Sequence, residues 1–200
     1  QVSNVTVSSV DCSYAPGGQA GNSWGIRVAN TAANSNISIL NCNAGNRGRG
    51  IWVDNGRDYT ITGNNMVGSG NGSPALELSN IIPGSLTGGI LASGNTFGTP
   101  SFHRGVVISN MRNLLIGDAS VSGANIVLDD NCGLNQCVGT DYNGHGVLYL
   151  SNVNNVTVDN VDCSKSTAGA GNSYGIVVAN GANNQGVTIK NCKADNRYRG

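Results

Sequence analysis

The sequence predicts an all-β chain in which short strands stack in parallel, as they do in a solenoid. Two aliphatic residues at alternate positions, followed by Asn, recur six times along the 200 residues. A longer stretch of sequence returns after about 150 residues. The composition, with 30 Gly and only 11% charged residues, departs from that of an ordinary globular domain.

Each copy of the short pattern is expected to form one strand with a buried face, because alternate side chains of a strand share a face. The inward pairs are Ile26/Val28, Ile51/Val53, Leu76/Leu78, Val106/Ile108, Leu148/Leu150 and Ile176/Val178. The Asn residues that follow them are Asn30, Asn55, Asn80, Asn110, Asn152 and Asn180. We expect these Asn side chains to point inward at a bend and to form a ladder that satisfies backbone groups there.

A second strand is predicted shortly after most of these bends. These strands cover 37–39, 60–62, 114–116, 156–158 and 187–189. Such close spacing leaves no room for crossover helices, so equivalent strands should pair in parallel, one turn above another. Because parallel crossovers are nearly always right-handed, the predicted fold is a right-handed, single-stranded parallel β-helix with an internal Asn ladder. It covers residues 1–200 as one continuous domain.

The long repeat relates the two ends of the sequence. Residues 4–12, 20–30 and 46–50 return as 155–163, 170–180 and 196–200, so 1–50 and 151–200 are copies of the same part of a unit of about 150 residues. Uncovered strand edges invite pairing. We therefore expect the partners to be further repeats of the same chain, or copies of it stacked end to end.

The Asn residues in register and the alternating strands resemble the right-handed parallel β-helix superfamily of pectate lyases, polygalacturonases, tailspikes and adhesins. The resemblance covers essentially the whole chain. It implies an Asn ladder at one corner of the fold and says little about activity.

Six cysteines are present, none in a C-x-x-C pair, and the two histidines lie in no zinc spacing, so no metal site is expected. We expect the disulfides Cys12–Cys42 and Cys163–Cys192 between neighbouring turns, and Cys132–Cys137 closing a small loop. Buried free thiols are the alternative. Disulfides would place the protein outside a reducing cytosol.

Candidate catalytic carboxylates lie on the outward side of the first strands. Asp54 and Glu77 are expected to be diagonal neighbours about 8 Å apart, which is compatible with the acid/base pair of an inverting glycosidase. Arg27 and Trp52 lie beside them, and Trp52 could stack on a sugar. The alternative is a weak surface salt bridge between one of these carboxylates and Arg27 or Arg57.

A second candidate site is formed by Asp129 and Asp130 with His145. These residues resemble the D-D and G-H-G motifs of polygalacturonases, in which carboxylates protonate the leaving group and activate water. The N-T-D motif of that family is absent, and the alternative is that the two Asp residues form a turn in a long loop.

The turn residues Arg47 and Arg49 recur as Arg197 and Arg199. With Arg27 and Trp52 they are candidate binding residues for a sugar or a neighbouring subunit, and solvated turns are the alternative. Asn71, in the sequon Asn71-Gly-Ser, is the candidate glycosylation site.

The charge balance excludes some partners. With 11 basic and 11 acidic residues, the chain has no electrostatic footprint for nucleic acid or an anionic membrane. No apolar run approaches the roughly 20 residues of a membrane span, and no cofactor is expected. The predicted function is an extracellular or cell-surface structural or adhesive protein that forms a rod, filament or array. The alternatives are a polysaccharide hydrolase or lyase, or a degenerate relative of one, and a carbohydrate-binding rod without catalysis.

Overall fold

The computed structural model describes residues 1–15, 20–29, 34–67, 74–82, 90–91, 94–96, 105–117, 126–127, 146–164, 174–179 and 183–197. These residues form an all-β structure of parallel strands. The strands are β1 (Ser3–Ser8), β2 (Ala20–Ala29), β3 (Ser35–Leu40), β4 (Arg47–Thr62), β5 (Leu76–Ile81), β6 (Ile90–Leu91), β7 (Val106–Ser109), β8 (Arg112–Gly117), β9 (Ile126–Val127), β10 (Gly146–Ser151), β11 (Asn154–Asp159), β12 (Tyr174–Val178) and β13 (Gln185–Lys190). No segment of the described chain is a helix with the length and apolar character needed to cross a membrane.

The strands pair in two parallel rows, and the long strand β4 takes part in both. The first row follows the order of the sequence: β2, β4, β5, β7, β10, β12. Its register aligns the inward residues as expected, with Ile26 opposite Ile51 and Ile51 opposite Leu76. The predicted parallel pairing of the six strands is therefore confirmed.

The second row contains the predicted second strands, in the order β1, β3, β4, β6, β9, β8, β11, β13. One strand departs from the order of the sequence. Ile126 of β9 pairs with both Ile90 and Ile116, which places β9 between β6 and β8. A third line of contact consists of isolated parallel bridges, among them Asp11 with Asn43 and Asp162 with Lys193.

The core lies between the two rows and consists mainly of aliphatic side chains. Ile51, Leu76 and Ile108 of the first row and Ile39 and Ile61 of the second are fully buried. Burying each such side chain contributes about 1.5–3 kcal/mol. Patterned burial of this kind explains how a chain with few charges and many Gly and Asn residues folds.

Asn is abundant because the corners of the chain need a left-handed backbone. Among the described residues, fifteen non-glycine residues have a positive φ, and thirteen of them are Asn. Asn tolerates this conformation better than most residues, since its short polar side chain can hydrogen-bond locally. The corner after the first row uses Asn55, Asn80, Asn110 and Asn152, with φ between 53° and 68°.

The expectation that these corner Asn residues point inward is wrong. Asn80, Asn110 and Asn152 are exposed, and Asn55 is partly exposed. The left-handed φ interrupts the strand alternation, so the Asn side chain leaves the face on which the preceding aliphatic residues lie. The amides of Asn110 and Asn152 are still joined, since Asn152 Nδ2 donates to Asn110 Oδ1 at 2.7 Å. Asn30 and Asn180 lie outside the described residues.

A buried Asn ladder exists at a different position, after the second row. Asn64 and Asn95 are fully buried. Asn64 Nδ2 donates to Asn95 Oδ1 and to Ile39 O, both at 3.0 Å. Asn95 Nδ2 donates to Ile61 O at 2.9 Å, and Asn64 Oδ1 accepts the backbone N–H of Cys42. Each amide thus binds the backbone of a strand in the second row, which is the kind of role predicted for the corner Asn residues.

The expected disulfides Cys12–Cys42 and Cys163–Cys192 do not form, and all four residues are free thiols. Because Asp11 pairs with Asn43, Cys12 lies opposite Ala44, two residues out of register with Cys42. Cys42 instead lies opposite Asn64, in the same column as the buried Asn ladder, since Asn43 pairs with Asn65. Its thiol donates to Leu40 O at 3.3 Å and to Val7 O at 3.7 Å. Cys132 and Cys137 lie outside the described residues.

Candidate binding surface on the first row

The outward side chains of the first row form a column whose order the sequence predicts correctly. Register pairs Arg27 with Trp52, and Trp52 with Glu77. The column continues through Val107 to Tyr149. We call its first part, which consists of Trp24, Arg27, Arg49, Trp52 and Glu77, the Arg–Trp cluster.

Arg27 is supported by two indole rings. The rings of Trp24 and Trp52 are stacked, with centroids 5.8 Å apart. The guanidinium carbon of Arg27 lies 4.7 Å from the centroid of Trp24 and 4.4 Å from that of Trp52. Cation–π contacts of this kind contribute about 0.5–1 kcal/mol each at exposed sites. They orient the guanidinium and leave its N–H groups available to an outside acceptor.

Glu77 forms a salt bridge with Arg49, a residue that simple strand alternation would place on the inward face. Arg49 Nε lies 2.7 Å from Glu77 Oε2, and the Arg49 guanidinium also lies 5.7 Å from the Trp52 ring. Strict alternation would put Arg49 on the same side as Ile51. The intervening Gly50 breaks the alternation, because a Cβ at Gly50 would itself point at the core, 2.6 Å from Met66 Cγ.

Trp24 reaches the cluster in the same way. Counting by two from Ile26 would place it inward, yet its ring stacks on the outward Trp52. Gly25 precedes Ile26 as Gly50 precedes Ile51, and a Cβ at Gly25 would lie 2.6 Å from Ala44 Cβ. A glycine directly before the aliphatic pair is therefore the sequence signal for the change of face.

Asp54 and Glu77 each have separate partners in the structure. Asp54 Oδ1 accepts hydrogen bonds from Ser79 Oγ at 3.0 Å and from Asn80 Nδ2 at 2.7 Å. Glu77 is occupied by Arg49. Each carboxylate has its own local partners, which favours the structural alternative, although the partner of Glu77 is Arg49 and not Arg27 or Arg57.

Arg47 and Arg197 each bind the backbone of another segment of the chain. Arg47 Nε donates to Cys12 O at 2.7 Å, and its Nη2 donates to Ser13 O at 3.2 Å. Arg197 repeats these contacts with Cys163 O at 2.8 Å and Ser164 O at 3.5 Å. Both side chains therefore donate hydrogen bonds to backbone carbonyls. This structural role explains why the arginine recurs in the two copies of the repeat.

The remaining predicted site residues lie outside the described part of the chain. They are Asp129, Asp130, His145, Arg199 and the sequon residue Asn71. Within the described residues, no three His, Cys, Asp or Glu side chains are grouped so that they could hold a metal ion.

Comparison of the chain with protein-family models, with curated proteins and with solved structures gave no match. Any functional assignment therefore depends on the geometry of this molecule.

Proposed function

We propose that the chain is a section of a right-handed parallel β-helical rod, an extracellular structural or adhesive protein whose repeats set its length. The two parallel rows and the third line of bridges support such a stack. The long repeat supports the rod, because β11, β12 and β13 recur in the sequence positions of β1, β2 and β3. An extracellular location is supported by the resemblance to secreted and surface β-helices, whereas the free thiols do not support it.

The observation that carries this proposal is a difference in burial between equivalent residues of the two copies. Ile39 is 0% exposed, and its equivalent Ile189 is 45% exposed. At the other face, Val161 is 1% exposed and its equivalent Val10 is 44% exposed. Each copy thus buries a side chain that the other leaves open to solvent.

The strands β3 and β11 are paired on both sides, whereas their equivalents β13 and β1 are each paired on one side among the described residues. The neighbours of β3 and β11 therefore indicate which strands would fit beside β13 and β1. Ile39 of β3 pairs with Ile61 of β4, so the face of β13 suits a strand like the second half of β4. The strand β11 pairs with β8, so the face of β1 suits a strand like β8. A junction of β1 on β13, which stacking of two identical chains would create, occurs nowhere in the described pairings. Further repeats are therefore favoured over end-to-end stacking.

The proposal is tested by covering the face of β13. A second copy of residues 51–67 is appended after Gly200, which corresponds to Gly50 in the long repeat. We expect a higher thermal midpoint and slower hydrogen exchange of the β13 amides, since the Ile189 side chain becomes buried. The matched control carries Asp in place of the appended copies of Ile51 and Ile61. Equal midpoints for the extension, the control and the parent chain would reject the proposal.

A carbohydrate-binding rod is the second candidate, and the Arg–Trp cluster favours it. Arg27 is exposed and takes part in no ion pair among the described residues, so its guanidinium can donate hydrogen bonds to acceptor atoms of a polar ligand. Trp52→Ala removes one of its two supporting rings and should weaken any glycan binding at this surface. Tyr149→Ala, in the same column, is the control, and equal binding by both variants would contradict this candidate.

A further inference from the structure

A polar pocket of about 280 Å³ lies at the corner between the two rows, away from the Arg–Trp cluster. It is lined by Asn80, Asn110, Arg112, Asn152, Asn154 and Asn183. Three of these have a left-handed backbone: Asn80 near the end of β5, and Asn110 and Asn152 directly after β7 and β10. Arg112 and Asn154 begin β8 and β11, so the pocket is assembled by successive turns of the chain.

The lining is unusual because it consists of carboxamides and one guanidinium. Pockets for most small organic ligands are mainly apolar, with volumes of roughly 300–1,000 Å³. A small pocket of amides suits a hydroxyl-rich ligand, since a carboxamide both donates and accepts hydrogen bonds, as a sugar hydroxyl does.

Free hydrogen-bonding capacity remains in the lining. Asn110 Oδ1 accepts from Asn152, while the amide nitrogen of Asn110 has no partner among the described residues. Asn154 and Gln185 are joined by a contact of 3.4 Å, and Gln185 and Asn183 by one of 3.5 Å. Both distances lie at the long end for hydrogen bonds, so a ligand could replace these contacts at small cost.

The charge in the pocket is a single cation. Arg112 is exposed and forms no salt bridge with any described residue, and no carboxylate lines the pocket. A guanidinium presents paired N–H donors that match an oxyanion such as carboxylate or sulfate. The preferred ligand should therefore carry one negative charge beside its hydroxyl groups.

We propose that this pocket binds one sugar residue that carries an oxyanion, with the carboxylate or sulfate on Arg112 and the hydroxyls on the Asn amides. The inference does not depend on the rod, and it uses no residue of the Arg–Trp cluster.

The test is an NMR-monitored titration of the chain with four acidic sugars. They are methyl glucuronoside, galacturonate, mannuronate and glucose 6-sulfate. Methyl glucoside and inorganic sulfate are the matched neutral and sugar-free probes. We expect at least one acidic sugar to bind about tenfold or more tightly than either matched probe. Arg112→Gln should weaken that binding to a similar extent.

Arg57→Gln is the control, because Arg57 is also an exposed arginine near a corner but lies outside the pocket. It should leave the affinity unchanged, and thermal midpoints verify that both variants fold. Four outcomes would overturn the proposal: no binding of any acidic sugar, equal binding of methyl glucoside, equal binding of inorganic sulfate, or loss of binding with Arg27→Gln but not with Arg112→Gln.

Discussion

At the corners of the chain, Asn41 and its equivalents hold φ near +55°, whereas Asn64 and Asn95 are buried and bind the backbone of strands in the second row. One residue type thus serves two physical purposes. The sequence shows where Asn recurs. It does not show which Asn takes the left-handed backbone and which hydrogen-bonds to the backbone of another strand, because both kinds follow an aliphatic strand.

The corner role makes a prediction for Asn41, whose backbone φ is 52°. Asn41→Ala should destabilise the chain by about 1–2 kcal/mol relative to Asn41→Gly, since a Cβ strains a left-handed backbone. Chemical unfolding of the two variants measures the difference. In the strand residue Ser38 the order should reverse, because there Gly is the worse residue. The same order at both positions would contradict the corner assignment.

The ladder role makes a prediction for Asn64. Asn64→Ala leaves the Cys42 N–H and the Ile39 carbonyl without their buried partner and should cost about 2–4 kcal/mol of unfolding free energy. The neighbour Asn65 is exposed, and Asn65→Ala should cost clearly less in the same denaturation measurement. A thiol already occupies this column at Cys42, so Asn64→Cys should be milder than Asn64→Ala. Equal losses for all three variants would contradict the ladder.

At the level of strands, the aliphatic alternation predicted the first row and its register. It does not account for the changes of face at Gly25 and Gly50, which bring Trp24 and Arg49 to the outward side. It also failed beyond the strand ends. Cys12 and Cys42 follow equivalent strands, but the number of corner residues that precede them differs by two, and pairing depends on register. The out-of-order strand β9 carries only two residues of pattern, too few to predict its place.

The register of these strands predicts that Cys12, Cys42, Cys163 and Cys192 are thiols. Alkylation in denaturant without reductant, followed by peptide mapping, should label all four. In the native chain Cys12 should react more slowly than after unfolding, because burial, and then the neighbouring Cys42, raise the pKa of its thiol and lower its thiolate fraction. Recovery of Cys12–Cys42 or Cys163–Cys192 as a disulfide-linked peptide would contradict the register.

For the whole molecule, the two partial copies of the long repeat act as mutual controls. Ile39 is buried where β4 pairs with β3, whereas Ile189 is exposed on β13, which among the described residues pairs only with β11. An exposed column of aliphatic side chains and strand edges favours pairing with another strand. This is the physical basis of the proposed rod, and it is a property of the assembly that the alternation of residues suggests but does not specify.

Electron microscopy of the native material, paired with the intact mass of the denatured chain, tests the rod most directly. The account predicts elongated particles of uniform width whose mass exceeds the 20.4 kDa of these 200 residues. A compact, discrete particle with that mass, in both the native and the denatured state, would contradict it.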